Sequence, residues 1–146
     1  MSALPGRFLY AHSVLDSVFL LLVVAMLWLH GVSHVIWFLA AWTTVPTGVG
    51  DGKWILPGDI TIRGRVGQAL GLLALIVVAV FVTAGLMLLA GMENWNGVAN
   101  IGIFLSYGTV VPWIRQGPGS WPLTSVVANV ILMFLVTPEI SGEILI

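Results

Sequence analysis

Cysteine is missing from this chain. That absence removes disulfides, thiolate metal ligands, CxxC redox chemistry and cysteine lipidation together. Charge is scarce as well: 8% of residues are Asp, Glu, Lys or Arg, against about a quarter in ordinary water-soluble domains. A net charge of −1, with no clustering of the basic residues, gives no electrostatic footprint for nucleic acid. Catalytic signatures are lacking too. There is no GxSxG, no HExxH, no phosphate-cradling GxxxxGKS/T and no dinucleotide fingerprint, so a non-enzymatic role is the expectation. Arg7 is the only basic residue ahead of the first apolar run, and no small-residue cleavage site follows. That run is therefore expected to be retained as a span and not cleaved as a signal peptide.

What the chain does contain is apolar sequence, at 59% of its 146 residues. Ser17 to Gly50, Val98 to Ile114 and Gln116 to Pro138 carry no charged side chain. Val66 to Met92 runs 27 residues without one, its polarity interrupted only by Gln68 and Thr83. About 20 apolar residues cross a bilayer core. Backbone groups in lipid must be satisfied within the segment, and contiguous apolar residues, unlike alternating ones, indicate helices over a barrel. The expected fold is all-α: a single transmembrane domain over residues 1–146, forming an integral membrane four-helix bundle. Its spans cover about 13–42, 66–92, 98–114 and 123–137, with a loop over 43–65. The first is too long for one straight crossing, at about 45 Å. We read it as one long or kinked helix; a break near Gly31, with Val32–Trp42 along the interface, is the alternative.

Lys and Arg set orientation. Lys53, Arg63, Arg65 and Arg115 share the side of the first and third loops, against Arg7 alone on the other. This places those loops in the cytoplasm and both termini outside, in a multi-pass protein of the cell inner membrane. Trp42, Trp54, Trp113 and Trp121 are expected to ring the cytoplasmic face, and Trp95 the other. In the loop, the Trp54-Ile55-Leu56 island should dip against bilayer or bundle, and Asp59 can cap a short segment. Gly64, Gly67, Gly71, Ala74, Val78 and Gly85 form a small-residue stripe. Such a stripe lets a second helix approach to backbone contact, inside the bundle or in a homodimer.

Polar residues within apolar runs are the default functional candidates. His30, His34, Gln68, Tyr107 and Asn129 fall towards the cytoplasmic side. His12, Asp16, Glu93, Asn94, Asn96, Asn100 and Glu139 fall towards the outer side. His30 and His34 stand one helical turn apart on one face, a spacing that can chelate a metal, while either alone can ligate haem or a pigment. The plainer reading is a hydrogen bond from each ring to Asn129, Tyr107, Ser33 or a carbonyl. Likewise His12 and Asp16 can form a local ion pair. Asp16, Glu93 and Glu139 can converge as a cation- or proton-binding cluster, or stand separately solvated.

The segment Leu56-Pro57-Gly58-Asp59-Ile60-Thr61-Ile62-Arg63-Gly64, continuing Val66-Gly67-Gln68-Ala69-Leu70-Gly71-Leu72, resembles a stretch of small bacterial four-helix membrane proteins, DoxX-like in layout. The resemblance covers about a third of the chain and consists of turn and packing residues. It implies the four-helix membrane fold and, through that group, an association with quinone or sulfur redox complexes. It assigns no role to any particular residue.

Three functions remain open at this point. The expected one is a non-catalytic accessory or scaffold subunit of a membrane complex, partnered by the lipid bilayer and by another membrane protein or a second copy. The second is a small transporter, channel or ligand-binding bundle using Asp16, Glu139 and the His30/His34 face. The third is a haem, pigment or redox-associated subunit.

Overall fold

The charge-free runs become helices, and the first of them bends. The structure is a computed structural model that describes residues 6–117 and 119–137, with side chains from Ser17 onward. Its helices are α1 (Gly6–Ser33), α2 (Val35–Trp42), α3 (Arg65–Leu89), α4 (Trp95–Val110) and α5 (Trp121–Leu135). A 3-10 turn at Val111–Trp113 continues α4, where Pro112 cannot donate to the ladder. α1 and α2 are the two limbs of one bent helix, so the described residues form a four-helix all-α bundle. Two stretches, Ser17–Trp42 and Arg65–Leu89, have mean hydropathies of 2.1 and 3.0 and are long and apolar enough to cross a membrane.

The bend lies at His34, and its cause is local. A straight helix would pair the His34 N–H with the His30 carbonyl. Here Ser33 Oγ donates to that carbonyl at 2.6 Å, and the His34 N–H turns to Gly31 O at 3.0 Å. Serine back-bonding of this kind competes with the ladder and bends helices. Gly31 adds a second reason. A Cβ there would stand 2.8 Å from the Phe81 Cβ, so the chain comes close to α3 just before it turns. The break thus falls three residues after Gly31 and leaves one bent helix.

α3 is the central element, packed against α1, α2 and α4, while α5 leans mainly on α4 and touches α1 lightly. Two apolar cores result. One gathers Val23 and Leu27 of α1, Val77, Phe81 and Leu88 of α3, Ile103 of α4 and Leu132 of α5. The other gathers Trp37 and Ala41 of α2, Ile62, Ala74, Val110 and Trp113. Along α1 and α4 the residues between these cores are polar. Trp113 and Trp95 are 1% and 7% exposed. They are core residues, a correction to the interfacial belt expected of them, because both pack inside the bundle.

The glycine stripe of α3 is used inside the chain. A Cβ at Gly67 would collide with the Ile62 carbonyl, one at Gly85 with the Trp28 indole, and one at Gly71 would stand 2.8 Å from the Ala41 Cβ. Trp28 lies close enough to donate its indole N–H to Val82 O at 3.2 Å. Two members of the expected stripe are corrected. Gly64 is the residue before α3 in extended backbone, facing Thr61, and so belongs to the turn. The buried line runs through Val77 and Phe81, with Val78 only partly covered.

Between Thr43 and Gly64 the chain folds back over the end of the bundle. Trp54 N donates to Ile60 O at 3.0 Å, and an isolated antiparallel bridge joins Lys53 and Thr61. Gly50 N donates to Gln116 O at 2.6 Å, and Ile55 N donates to Pro112 O at 2.9 Å. Gln116 Nε2 returns a bond to Lys53 O at 3.0 Å. Trp54 sits beside Trp113 with ring centroids 6.3 Å apart, whereas Ile55 and Leu56 stay exposed. Asp59 pairs with Lys53 across this hairpin and caps no helix.

Candidate functional site

Five polar side chains meet in the layer between the two apolar cores: His30 and His34 from the bent helix, Ser106 and Thr109 from α4, and Asn129 from α5. All are buried, with Ser106 and Asn129 at 0% exposure. Their positions follow from helical spacing. His30 and His34 are four apart, Ser106 and Thr109 three apart, so each pair shares a face. The i→i−3 bond at the bend leaves the two imidazoles edge to face, with centroids 5.2 Å apart. Phe81 closes the other side, 5.2 Å from the His30 ring. Gly102 makes room for it, since a Cβ there would lie 3.0 Å from the Phe81 ring.

The five side chains are continuously hydrogen-bonded. His30 Nε2 is 2.8 Å from Asn129 Oδ1. Asn129 Nδ2 donates to Ser106 Oγ at 2.8 Å. Ser106 Oγ is 2.8 Å from His34 Nε2 and 3.4 Å from His30 Nε2. Thr109 Oγ1 is 3.3 Å from His34 Nδ1 and donates to Ser106 O at 2.9 Å. Buried polar groups are costly unless every one is satisfied, so a network of this kind rigidifies the layer and fixes the register of three helices.

The layer has one open side. An open cavity of about 530 Å³ lies at the surface of the bundle between α1 and α5, bordered by Leu22, Met26 and Leu29 on one helix and Trp121 and Ala128 on the other. Ser33, Thr124 and Ser125 are its hydroxyl-bearing residues, and His30 is the single titratable side chain in its wall. The cavity exists because α5 meets α4 closely and α1 only lightly. Its size falls in the range of small-molecule sites, about 300–1,000 Å³, and its lining is apolar with a few polar groups, as such sites are.

The remaining candidates scatter. Tyr107 is partly buried against the first apolar core and takes no part in the layer. Glu93 is exposed in the turn between α3 and α4. Gln68 offers its backbone carbonyl to the Trp42 indole at 2.8 Å. The side chains of His12 and Asp16, and all of Glu139, lie outside the described residues. Ser106 and Thr109 were missed from the sequence. The signal was present in Trp95, Ala99, Gly102, Ser106, Thr109 and Trp113, which repeat every three or four residues and are all buried.

As a metal site the histidine pair is poorly placed. Among the described residues no three His, Asp or Glu side chains gather to hold an ion. Both ring nitrogens of His34 and Nε2 of His30 are engaged in the network, which leaves only His30 Nδ1 uncommitted for haem or pigment iron. No family model, curated protein or solved structure matches this chain. What the structure supports of the resemblance is a four-helix all-α bundle with two helices long and apolar enough to cross a membrane.

Proposed function

We propose that this protein is a multi-pass inner-membrane bundle that binds a small lipophilic ligand in the cavity between α1 and α5, with His30 as the anchoring residue. The observation that carries the reading is the position of His30. Its ring is tied through Nε2 into the buried polar layer, and the residue also lines the cavity. The layer holds the ring still, and the cavity supplies an apolar volume around it.

The membrane part is supported by the distribution of polarity. In the outward faces Leu29 is 74% exposed, Phe104 71% and Leu22 63%, while both imidazoles and the Ser106 and Thr109 hydroxyls lie inside. A bundle in water would place these groups the other way round. The α3 helix, at about 37 Å by its rise per residue, exceeds the roughly 30 Å of a bilayer core. The backbone of the first loop, which carries Lys53 and Arg63, is bonded to the segment that carries Arg115, which favours a single cytoplasmic face for both.

An accessory or scaffold role rests on the missing catalytic motifs, and the space at Gly67, Gly71 and Gly85 of α3 that would serve a partner helix is filled by this chain's own backbone and side chains. Ligand binding has a positive observation behind it. To test it, 4-phenylphenol is titrated into the detergent-solubilised protein by equilibrium dialysis, with Ala128→Trp as the comparison because that residue borders the cavity. Saturable binding to the wild type, lost in a folded Ala128→Trp variant, is the expected result. Equal uptake by both proteins would overturn the reading.

A further inference from the structure

We infer that the cavity selects ligands that donate a hydrogen bond, namely hydroxyl-bearing lipophiles, over those that only accept one. The inference rests on the ligand-binding reading above and deepens it.

At the far end of the polar layer a backbone carbonyl sets the direction of the hydrogen bonds. A carbonyl oxygen can only accept. Thr109 Oγ1 lies 2.9 Å from Ser106 O, so its one proton goes there. The threonine oxygen then presents a lone pair to His34 Nδ1 at 3.3 Å, and that nitrogen must carry the ring proton. A neutral imidazole has one such proton. His34 Nε2 is therefore a lone pair and accepts from Ser106 Oγ–H at 2.8 Å. With its own proton given to His34, the serine oxygen accepts from Asn129 Nδ2 at 2.8 Å. The amide's other end, Oδ1, then accepts from His30 Nε2–H at 2.8 Å. Each step leaves one choice for the next.

The outcome at the cavity end follows. His30 carries its proton on Nε2, and Nδ1 is left as a lone pair with no hydrogen-bond partner among the described residues. His30 is 7% exposed overall, and Nδ1 is not sealed off, so its lone pair keeps accessible surface that a ligand can reach. Two hydroxyls of the wall point to the same conclusion. Ser33 Oγ donates to His30 O at 2.6 Å and Thr124 Oγ1 donates to Ser120 O at 2.9 Å, so both offer only lone pairs to the cavity. A ligand carbonyl or ether brought against His30 would set lone pair against lone pair. A hydroxyl would complete the series, giving its proton to Nδ1 while its oxygen remains free to accept from Ser125. The opposite polarity would need Thr109 to turn its proton from the carbonyl to His34, and the Ser106 carbonyl holds it.

The experiment compares three probes of nearly equal size: 4-phenylphenol, biphenyl-4-carbaldehyde and biphenyl. Each is measured by equilibrium dialysis against the detergent-solubilised protein, with micelle partitioning subtracted using Ala128→Trp. A hydrogen bond gained by an acceptor that has no partner in the protein corresponds to about a tenfold preference for the phenol over either other probe. In parallel, nitrogen-15 NMR of histidine-labelled protein reads the tautomers directly and needs no variant. The expected spectra show His30 protonated at Nε2 and His34 at Nδ1, with His30 Nδ1 shifting on addition of the phenol. If the aldehyde binds as well as the phenol, or if both rings carry the same tautomer, the donor rule is overturned and the cavity remains a ligand site. If none of the three probes binds above the Ala128→Trp background, the rule and the ligand-site reading fall together.

Discussion

Ser106 is the junction of the buried layer, so replacing it with alanine should be the most damaging small change in the bundle. Its hydroxyl accepts from Asn129 Nδ2 and donates to His34 Nε2, both at 2.8 Å, and the residue is wholly buried. Ser106→Ala removes one oxygen and orphans a donor on α5 and an acceptor on the bent helix. At about 1–2 kcal/mol for each buried group left unpaired, the loss should be about 2–4 kcal/mol. Thr109→Val, which keeps the shape and orphans only the longer His34 Nδ1 contact, should cost about 1 kcal/mol. Reversible unfolding by SDS titration from mixed micelles provides the measurement. A double-mutant cycle then isolates the network from general packing. Asn129→Leu should cost less in the Ser106→Ala background than in the wild type, because the donor it deletes has already lost its partner. A coupling of about 1–2 kcal/mol is expected, near the upper end of values measured inside bilayers. If Ser106→Ala lies within about 0.5 kcal/mol of the wild type, or the two changes add, the layer is not the connected structure described.

Glycine substitutions should separate into two groups. Gly67→Ala and Gly85→Ala place a methyl against the Ile62 carbonyl and the Trp28 ring, and each should cost about 1–3 kcal/mol in the same titration. Gly97→Ala and Gly108→Ala meet nothing within 4 Å on α4 and should instead stabilise it by about 0.5–1 kcal/mol; the reverse ordering would contradict the packing of α3. The Arg63–Asp51 pair, at 3.1 Å, is more than half exposed on both side chains. Asp51→Asn should therefore shift stability by less than about 1 kcal/mol, and a larger loss would mean that the loop is held electrostatically. Gln116→Ala removes the bond to the Lys53 carbonyl that pins the loop. Limited proteolysis between residues 50 and 60 should become faster, while circular dichroism keeps its helical signal.

Much of the architecture was legible because lipid-length apolar runs leave few options. The stretch from Val66 to Met92 could only be a helix, and α3 (Arg65–Leu89) lies within a few residues of it. Gly71 likewise announced close helix contact, met by Ala41 of α2, whereas Gly67 makes room for the Ile62 backbone of the loop. What was not legible was where the first helix bends. Gly31 looked like the weak point, since glycine is the poorest helix former there. The actual cause is Ser33, whose hydroxyl takes the His30 carbonyl and moves the break to His34. A serine within a helix is usually unremarkable. It bends this one because α3 approaches at Gly31 and holds the preceding turn in place.

The histidines illustrate the remaining gap. Their spacing placed both rings on one face, which is compatible with chelation, and sequence alone could not choose between a metal and a neighbouring helix. That choice depends on what the facing helices present at the same depth. α4 presents two hydroxyls and α5 one amide, groups that pair with neutral imidazole by hydrogen bonds and supply no carboxylate or third imidazole to complete a metal shell. Asn129 was recognised because an amide in an apolar run is costly. Ser106 and Thr109 do not stand out in the same way, because hydroxyls in an apolar helix can satisfy themselves on their own backbone. Thr109 does so, at Ser106 O. That same bond, a common way for a threonine to hide in a helix, gives the layer its one fixed end and orients each proton from there to His30.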